Sequence, residues 1–144
     1  MPVSDPALPL ATAGARTRWQ RLRQRAQFDA VLSTPPVAKT QHFALHAVTP
    51  TSAMIRAGLF TGAGPWIGVL LPKRWAKRAV TRNTFRRQIY ALSQASASAW
   101  AGQVVVVRLR HAFSPQQFTS ATSDALKRAA RTELLRLFPE AGHA

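Results

Sequence analysis

Apolar residues along this chain recur with two different periods, and the periods predict its elements. From Arg16 to Leu32, Trp19, Leu22, Ala26 or Phe28, and Val31 or Leu32 return at helical spacing, and Pro35 and Pro36 end the run. Gln41 to Val48 alternates instead, placing Phe43, Leu45 and Ala47 on one face of a strand and His42, Ala44, His46 and Val48 on the other. Met54 to Phe60 reads either as a second strand or as part of a long connection, and Thr61 to Pro65 is a turn by composition. Trp66 to Leu71 is a short apolar run closed by Pro72, the pattern of a mostly buried strand. A helix is predicted to follow the basic stretch after Lys73 and to continue to about Ser93, and Ser93 to Gly102 is rich in Ser, Ala and Gly. Val104 to Arg108 is the clearest strand. The last helix starts near Ser120 to Ser123, buries Leu126, Ala130, Leu134 and Leu137, and ends before Pro139. The expected fold is α+β, an α/β two-layer sandwich in which helices pack on one sheet. A single domain over residues 16–139 is expected, between a flexible tail over 1–15 and a short tail over 140–144.

Composition narrows the function. With 20 Lys plus Arg against 5 Asp plus Glu, the 144 residues carry a formal charge of +15. Sixteen of the twenty cations are Arg, whose planar fork matches phosphate oxygens and stacks on bases. Between Asp29 and Asp124 there is no acidic residue, although eleven Lys or Arg lie there, whereas a surface built only to stay in solution mixes signs. A nucleic acid or an anionic membrane is the implied partner, and ten prolines with several strand-like runs argue against an amphipathic membrane helix. No run is long enough to span a bilayer, and Met1 to Ala15 lacks the charged start and apolar core of a secretion signal. The absence of cysteine removes disulfides, thiolate metal sites and thiol nucleophiles, and suits the cytoplasm.

The cations concentrate in one place. Lys73, Arg74, Lys77, Arg78, Arg82, Arg86 and Arg87 are seven of the fifteen residues from Lys73 to Arg87. At about 100° per residue, Phe85, Ile89 and Leu92 share one face of a helix, and Arg82, Arg86, Tyr90, Asn83 and Arg87 occupy the adjoining arc. Arg82 and Arg86 stand one turn apart with no Glu between them, so an anion is expected to relieve their repulsion. Enzyme signatures are missing: carboxylates are scattered, the four His are far apart in sequence, and Gly62-Ala63-Gly64 lacks the remainder of a nucleotide-binding loop.

Ile67-Gly68-Val69-Leu70-Leu71-Pro72-Lys73-Arg74, followed by Arg78-Ala79-Val80-Thr81-Arg82-Asn83-Thr84-Phe85-Arg86-Arg87, resembles the signature of the protein component of bacterial ribonuclease P. In that family a strand ends in two basic residues, and a helix after a loop carries Arg-Asn-Arg, an aliphatic residue and two more basic residues. Phe28 to Leu32 resembles the family's first-helix motif, Phe43-Ala44-Leu45-His46 its first strand, Val104 to Arg108 its last strand and Leu126 to Phe138 its closing helix. The chain departs from the pattern at Thr84, where Arg is usual, at Leu32, which replaces an aromatic, and at His46, where Tyr is common; Thr49 to Pro65 is longer than expected.

The resemblance implies a ribosomal protein S5 domain 2-like fold with a left-handed βαβ crossover. It implies a protein subunit of a particle whose RNA holds Mg²⁺ and removes the 5′ leader of precursor tRNA, with no catalytic residue, organic cofactor or obligate protein partner of its own. Lys73, Arg74, Lys77, Arg78, Arg82, Asn83, Arg86 and Arg87 are the residues expected to meet the catalytic RNA. Phe28, Leu32, Ala44, His46, Val48 and Arg108 are those expected to line a cleft for the single-stranded leader, with Phe28 the main stacking ring. Two other functions compete with this one: a general structured-RNA or ribosome-associated protein of the same fold, and a protein-only nuclease using His46 and His111 as acid and base.

Overall fold

The centre of the molecule is an antiparallel pair, Phe43–Val48 (β3) against Val104–Leu109 (β5), in a computed structural model that describes residues 18–62, 64–114 and 123–138. Tails over 1–15 and 140–144, and Pro139, lie outside the described residues. Trp66–Leu70 (β4) pairs parallel with β5, and the two-residue strands Gln20–Arg21 (β1) and Ala38–Lys39 (β2) close the edges in the order β1-β4-β5-β3-β2. The helices are Arg25–Leu32 (α1), Ser52–Arg56 (α2), Ala79–Ser93 (α3) and Asp124–Leu137 (α4), with a 3-10 helix over Gln94–Trp100. Among the described residues no helix is long and apolar enough to cross a membrane.

Strand alternation sorts the core into two layers. Val105, Val107 and Leu109 point with Phe43, Leu45 and Ile67 toward Phe85 and Ile89 of α3 and toward Leu126, Ala130, Leu134 and Leu137 of α4. Val104 and Val106 point the other way, to Leu22, Val31, Phe60 and Trp66, with Phe28, Leu32 and Met54 packed on them. The helical face expected for α3 and the buried stripe expected for α4 are therefore both in place, and α4 begins at Ser123, whose hydroxyl accepts the Leu126 amide.

Two elements differ from the expectations, and a third resolves between two readings. Residues 16 and 17 of the expected helix lie outside the described residues, and Arg18 to Gln24 is not helical: the Gln20 amide donates to the Pro65 carbonyl and the Leu22 amide to that of Ile67, so the backbone is taken by the sheet. The helix starts only at Arg25, where the Gln27 side chain accepts the Arg23 and Gln24 amides and donates to the Leu59 carbonyl. Met54 to Phe60 takes the second of its two readings, part of a long connection, in which a short helix forms instead of a strand. Thr51 caps α2 by accepting the Met54 amide, and Gly58, at φ 75°, turns the chain so that Phe60 reaches the core. The strand β2 was too short to leave a period.

Gly68 sets how closely α1 approaches the sheet. A Cβ there would lie 2.6 Å from Phe28 Cε1 and 2.8 Å from Leu22 Cδ1, so α1 rests on bare backbone at this point of β4.

Candidate nucleic-acid interface

Between β4 and α3 the chain turns through Lys73–Trp75, with the Trp75 and Ala76 amides donating to the Pro72 carbonyl and Ala76 buried as an anchor. The Arg82 guanidinium donates through one Nη1 to the carbonyls of Ala76 and Lys77, both at 2.9 Å. This closes the loop onto the first turns of α3. Lys73, Arg74, Lys77 and Arg78 are left exposed along it. The first turn of α3 holds no acidic residue, so its unpaired amides add partial positive charge to the same region.

Further along α3, Arg86 donates to the Asn83 side chain at 2.7 Å, while Asn83 and Arg87 are exposed. The eight residues expected to face RNA therefore fall on one loop-helix unit, with one difference in role. Arg82 is half-buried and occupied by loop carbonyls, so it shapes the surface as well as charging it. Thr84 points inward, 7 % exposed, its hydroxyl donating to the Val80 carbonyl. It therefore adds nothing to the arc.

Arg21 is the cation that wheel analysis of α3 overlooks. Its guanidinium sits 3.8 Å from the Tyr90 ring centroid, and two residues earlier the Trp19 indole donates to the Ser93 carbonyl. The Arg-rich run before α1 hinted at it, but only the pairing of β1 with β4 brings it onto α3.

The second candidate set divides differently. Phe28, Leu32, Val48 and Arg108 are partly exposed beside α1, whereas Ala44 is fully buried and His46 is 3 % exposed. Neither Ala44 nor His46 offers a surface to a ligand, because α1 and its exit cover that stretch of β3. Instead, His46 Nδ1 donates to the Thr34 carbonyl at 2.9 Å and Nε2 accepts from Arg108 Nε at 3.0 Å, which ties the Arg108 side chain to the floor beside α1.

The bond from Arg108 requires an unprotonated Nε2, and burial first, then the nearby Arg108 charge, lowers the His46 pKa below its ordinary 6.5 against the opposing pull of the Thr34 carbonyl. In the unfolded chain the ring takes a proton nearer pH 6.5, so this contribution to stability is complete above that value and is lost as the pH falls through the folded-state pKa. Urea unfolding at stepped pH should show wild type losing stability below about pH 6.5 relative to a His46→Gln variant. Parallel pH profiles for the two would remove His46 as the cause.

His46 and His111 are not brought together. His46 lies on the α1 face of the sheet with both nitrogens engaged, and His111 packs edge-on to Trp75, 5.8 Å between ring centroids, by the basic loop. The acid and base pair is not formed. Carboxylates are equally unsuited to hold a cation: Asp29 lies by Arg25, Glu133 is engaged with His42, and no group of three or more His, Cys, Asp or Glu among the described residues could hold a metal ion.

The arrangement is a cationic loop and helix on one side of a sheet and a partly exposed apolar strip on the other. Comparison with known proteins agrees with it. The family model for ribonuclease P matches residues 17–133. The ribonuclease P protein component of Bordetella parapertussis is 34 % identical over 127 residues, covering 88 % of this chain and 93 % of the relative. That of Ralstonia pickettii is 31 % identical over 118 residues, covering 82 % and 76 %. Among solved structures, the ribonuclease P protein from Thermotoga maritima aligns over 83 % of this chain and 94 % of its own with a TM-score of 0.56 at 16 % identity. The Staphylococcus aureus protein aligns over 83 % and 97 % with a TM-score of 0.55 at 15 % identity.

Proposed function

This chain belongs to the ribonuclease P protein family, and from that premise we propose that it is the protein subunit of a ribonuclease P particle, binding the particle's RNA through the Lys73 to Arg87 unit and the 5′ leader of precursor tRNA beside α1. The observation that carries this is the loop stapled by Arg82. It holds Lys73, Arg74, Lys77 and Arg78 outward in continuity with Asn83, Arg86 and Arg87, with no carboxylate among them. Such a surface suits closely spaced phosphates, whose condensed counterions it releases on binding. In this reading cleavage belongs to the RNA, with the Mg²⁺ of the reaction held there.

Leader binding rests on Phe28, Leu32 and Val48, which present a partly exposed apolar strip, with Arg108 held at its edge by His46. Stacking on one ring contributes about 1–3 kcal/mol per base and tolerates any sequence. A cytoplasmic site of action follows from the substrate.

Reconstitution tests the whole function. Protein, ribonuclease P RNA and precursor tRNA mixed at low Mg²⁺ should give cleavage that needs both macromolecules. Cleavage by protein alone would make it a nuclease, and no effect of the protein would leave a general RNA binder. Replacing Arg82 and Arg86 together by Ala should lower the slope of log affinity for the RNA against log salt by about 1 to 2. An unchanged slope removes α3 from the interface.

A further inference from the structure

The outer surface of α4 has no role in the function above, yet it is strongly charged. Lys127, Arg128 and Arg131 are all exposed and fall within an arc of about 100° on the helix. Of the helix's own carboxylates, Glu133 is turned to His42 and Thr40, and Asp124, exposed in the same arc, forms no ion pair with them.

Contacts at the two flanks of the buried stripe orient this arc. On one flank Glu133 reaches His42 at the start of β3, and on the other the Gln88 side chain of α3 donates to the Lys127 carbonyl. The cationic arc adjoins the Lys127 flank, so it borders α3. The run of the two helices follows from the same contacts. Phe85, midway along α3, packs against Phe43 and Phe113, and Phe113 stacks on the His42 ring that Glu133 holds, so Phe85 and Glu133 share one end of the sheet. Gln88 and Lys127 meet one turn deeper along α3 and two turns earlier along α4. The helices therefore run antiparallel, which sets Arg131 roughly level with Thr84 and the exposed Leu135 roughly level with the exposed Val80.

On α3, Gln88 and Thr84 lie on the opposite side of the buried face from Arg82 and Arg86, with exposed Arg87 at the crest between. The α4 cations thus form a second ridge, parallel to the first and separated from it by the breadth of α3. We propose that this α4 ridge, with Lys127, Arg128 and Arg131, is a second phosphate-binding surface that takes a separate backbone segment of the ribonuclease P RNA from the one bound by the Lys73 to Arg87 unit. RNA is the occupant because the ridge carries three cations against the one carboxylate of Asp124, which pairs with none of them, and their spacings of three and four residues make them repel one another until an anion lies across them. The proposal rests on the particle assignment above.

The test uses the full chain and ribonuclease P RNA. Lys127, Arg128 and Arg131 are replaced together by Ala, the α3 pair Arg86 and Arg87 is replaced in a second variant, and exposed Arg56 on α2 serves as a control. Each is titrated across salt concentrations, and the RNA backbone is footprinted. The α4 variant should melt as wild type does, lower the salt slope by about 2 to 3, and lose protection at a segment that the α3 variant still protects. An unchanged slope and footprint for the α4 variant, with the α3 variant weakened, would overturn the second surface and leave the particle assignment standing. An equal loss from Arg56→Ala per charge removed would also overturn it, by reducing the effect to net charge. If sedimentation shows a dimer that the α4 variant breaks without changing RNA binding, the ridge belongs to a second copy of this chain. Failure of wild type itself to bind the RNA would fell the particle assignment instead.

Discussion

Glu133→Ala is expected to lower the free energy of unfolding by about 3–5 kcal/mol, the range for removing one member of a buried polar pair. This carboxylate, 12 % exposed, accepts the Thr40 hydroxyl at 2.6 Å and the His42 amide at 2.8 Å through one oxygen, and faces His42 Nδ1 at 2.6 Å through the other. Alanine leaves three polar groups without their acceptor and detaches α4 from the start of β3. His42 is then free to leave the Phe113 ring on which it stacks at 3.7 Å. Glu133→Gln keeps one acceptor oxygen and should lose less. Urea unfolding monitored by circular dichroism measures both. Equal, sub-kilocalorie losses for the two variants would show that the cluster contributes little.

Gly68→Val should cost about 1–3 kcal/mol by overpacking and should also disturb the surface proposed for the leader. The added Cβ would sit 2.6 Å from Phe28 Cε1, and β4 cannot retreat because it pairs with β1 on one side and β5 on the other. The helix α1 must lift, moving Phe28, the ring proposed for stacking. A double-mutant cycle isolates the contact: Gly68→Ala in a Phe28→Ala background meets no ring, so its cost there should be smaller by at least 0.5 kcal/mol. In precursor tRNA binding, Phe28→Ala should weaken the gain in affinity from lengthening the leader. Leader-length dependence that survives this change would remove Phe28 from the cleft.

Much of this protein was legible locally. The faces of β3, α3 and α4 followed from periods of 2.0 and 3.6, because a residue's neighbours in sequence settle which side of a regular element it occupies. Phe85, Ile89, Leu126, Ala130, Leu134 and Leu137 all lie in the core they were expected to form, with Leu92 packed against it. The cationic unit was equally readable, since Lys73 to Arg87 is contiguous and its motif belongs to the family. Local patterning failed for β1, β2 and α2. A two-residue strand has no period, and the helix-like spacing of Trp19 and Leu22 was overridden by backbone bonds to Pro65 and Ile67, more than forty residues away.

Roles, as distinct from positions, depended on the third dimension. Sequence alone determined a charge of +15, its concentration on one loop and helix, and an α+β fold around Val104 to Arg108. Only the tertiary structure decided that Arg82 braces its own loop, that His46 lies under α1 tethering Arg108, and that Glu133 answers His42 while Lys127, Arg128 and Arg131 face outward beside α3. The physical reason is the range of the forces concerned. Hydrophobic periodicity is written in adjacent turns, but a buried polar group is satisfied by whichever partner the fold brings within about 3 Å, and for His42 and Glu133 that partner is 91 residues away.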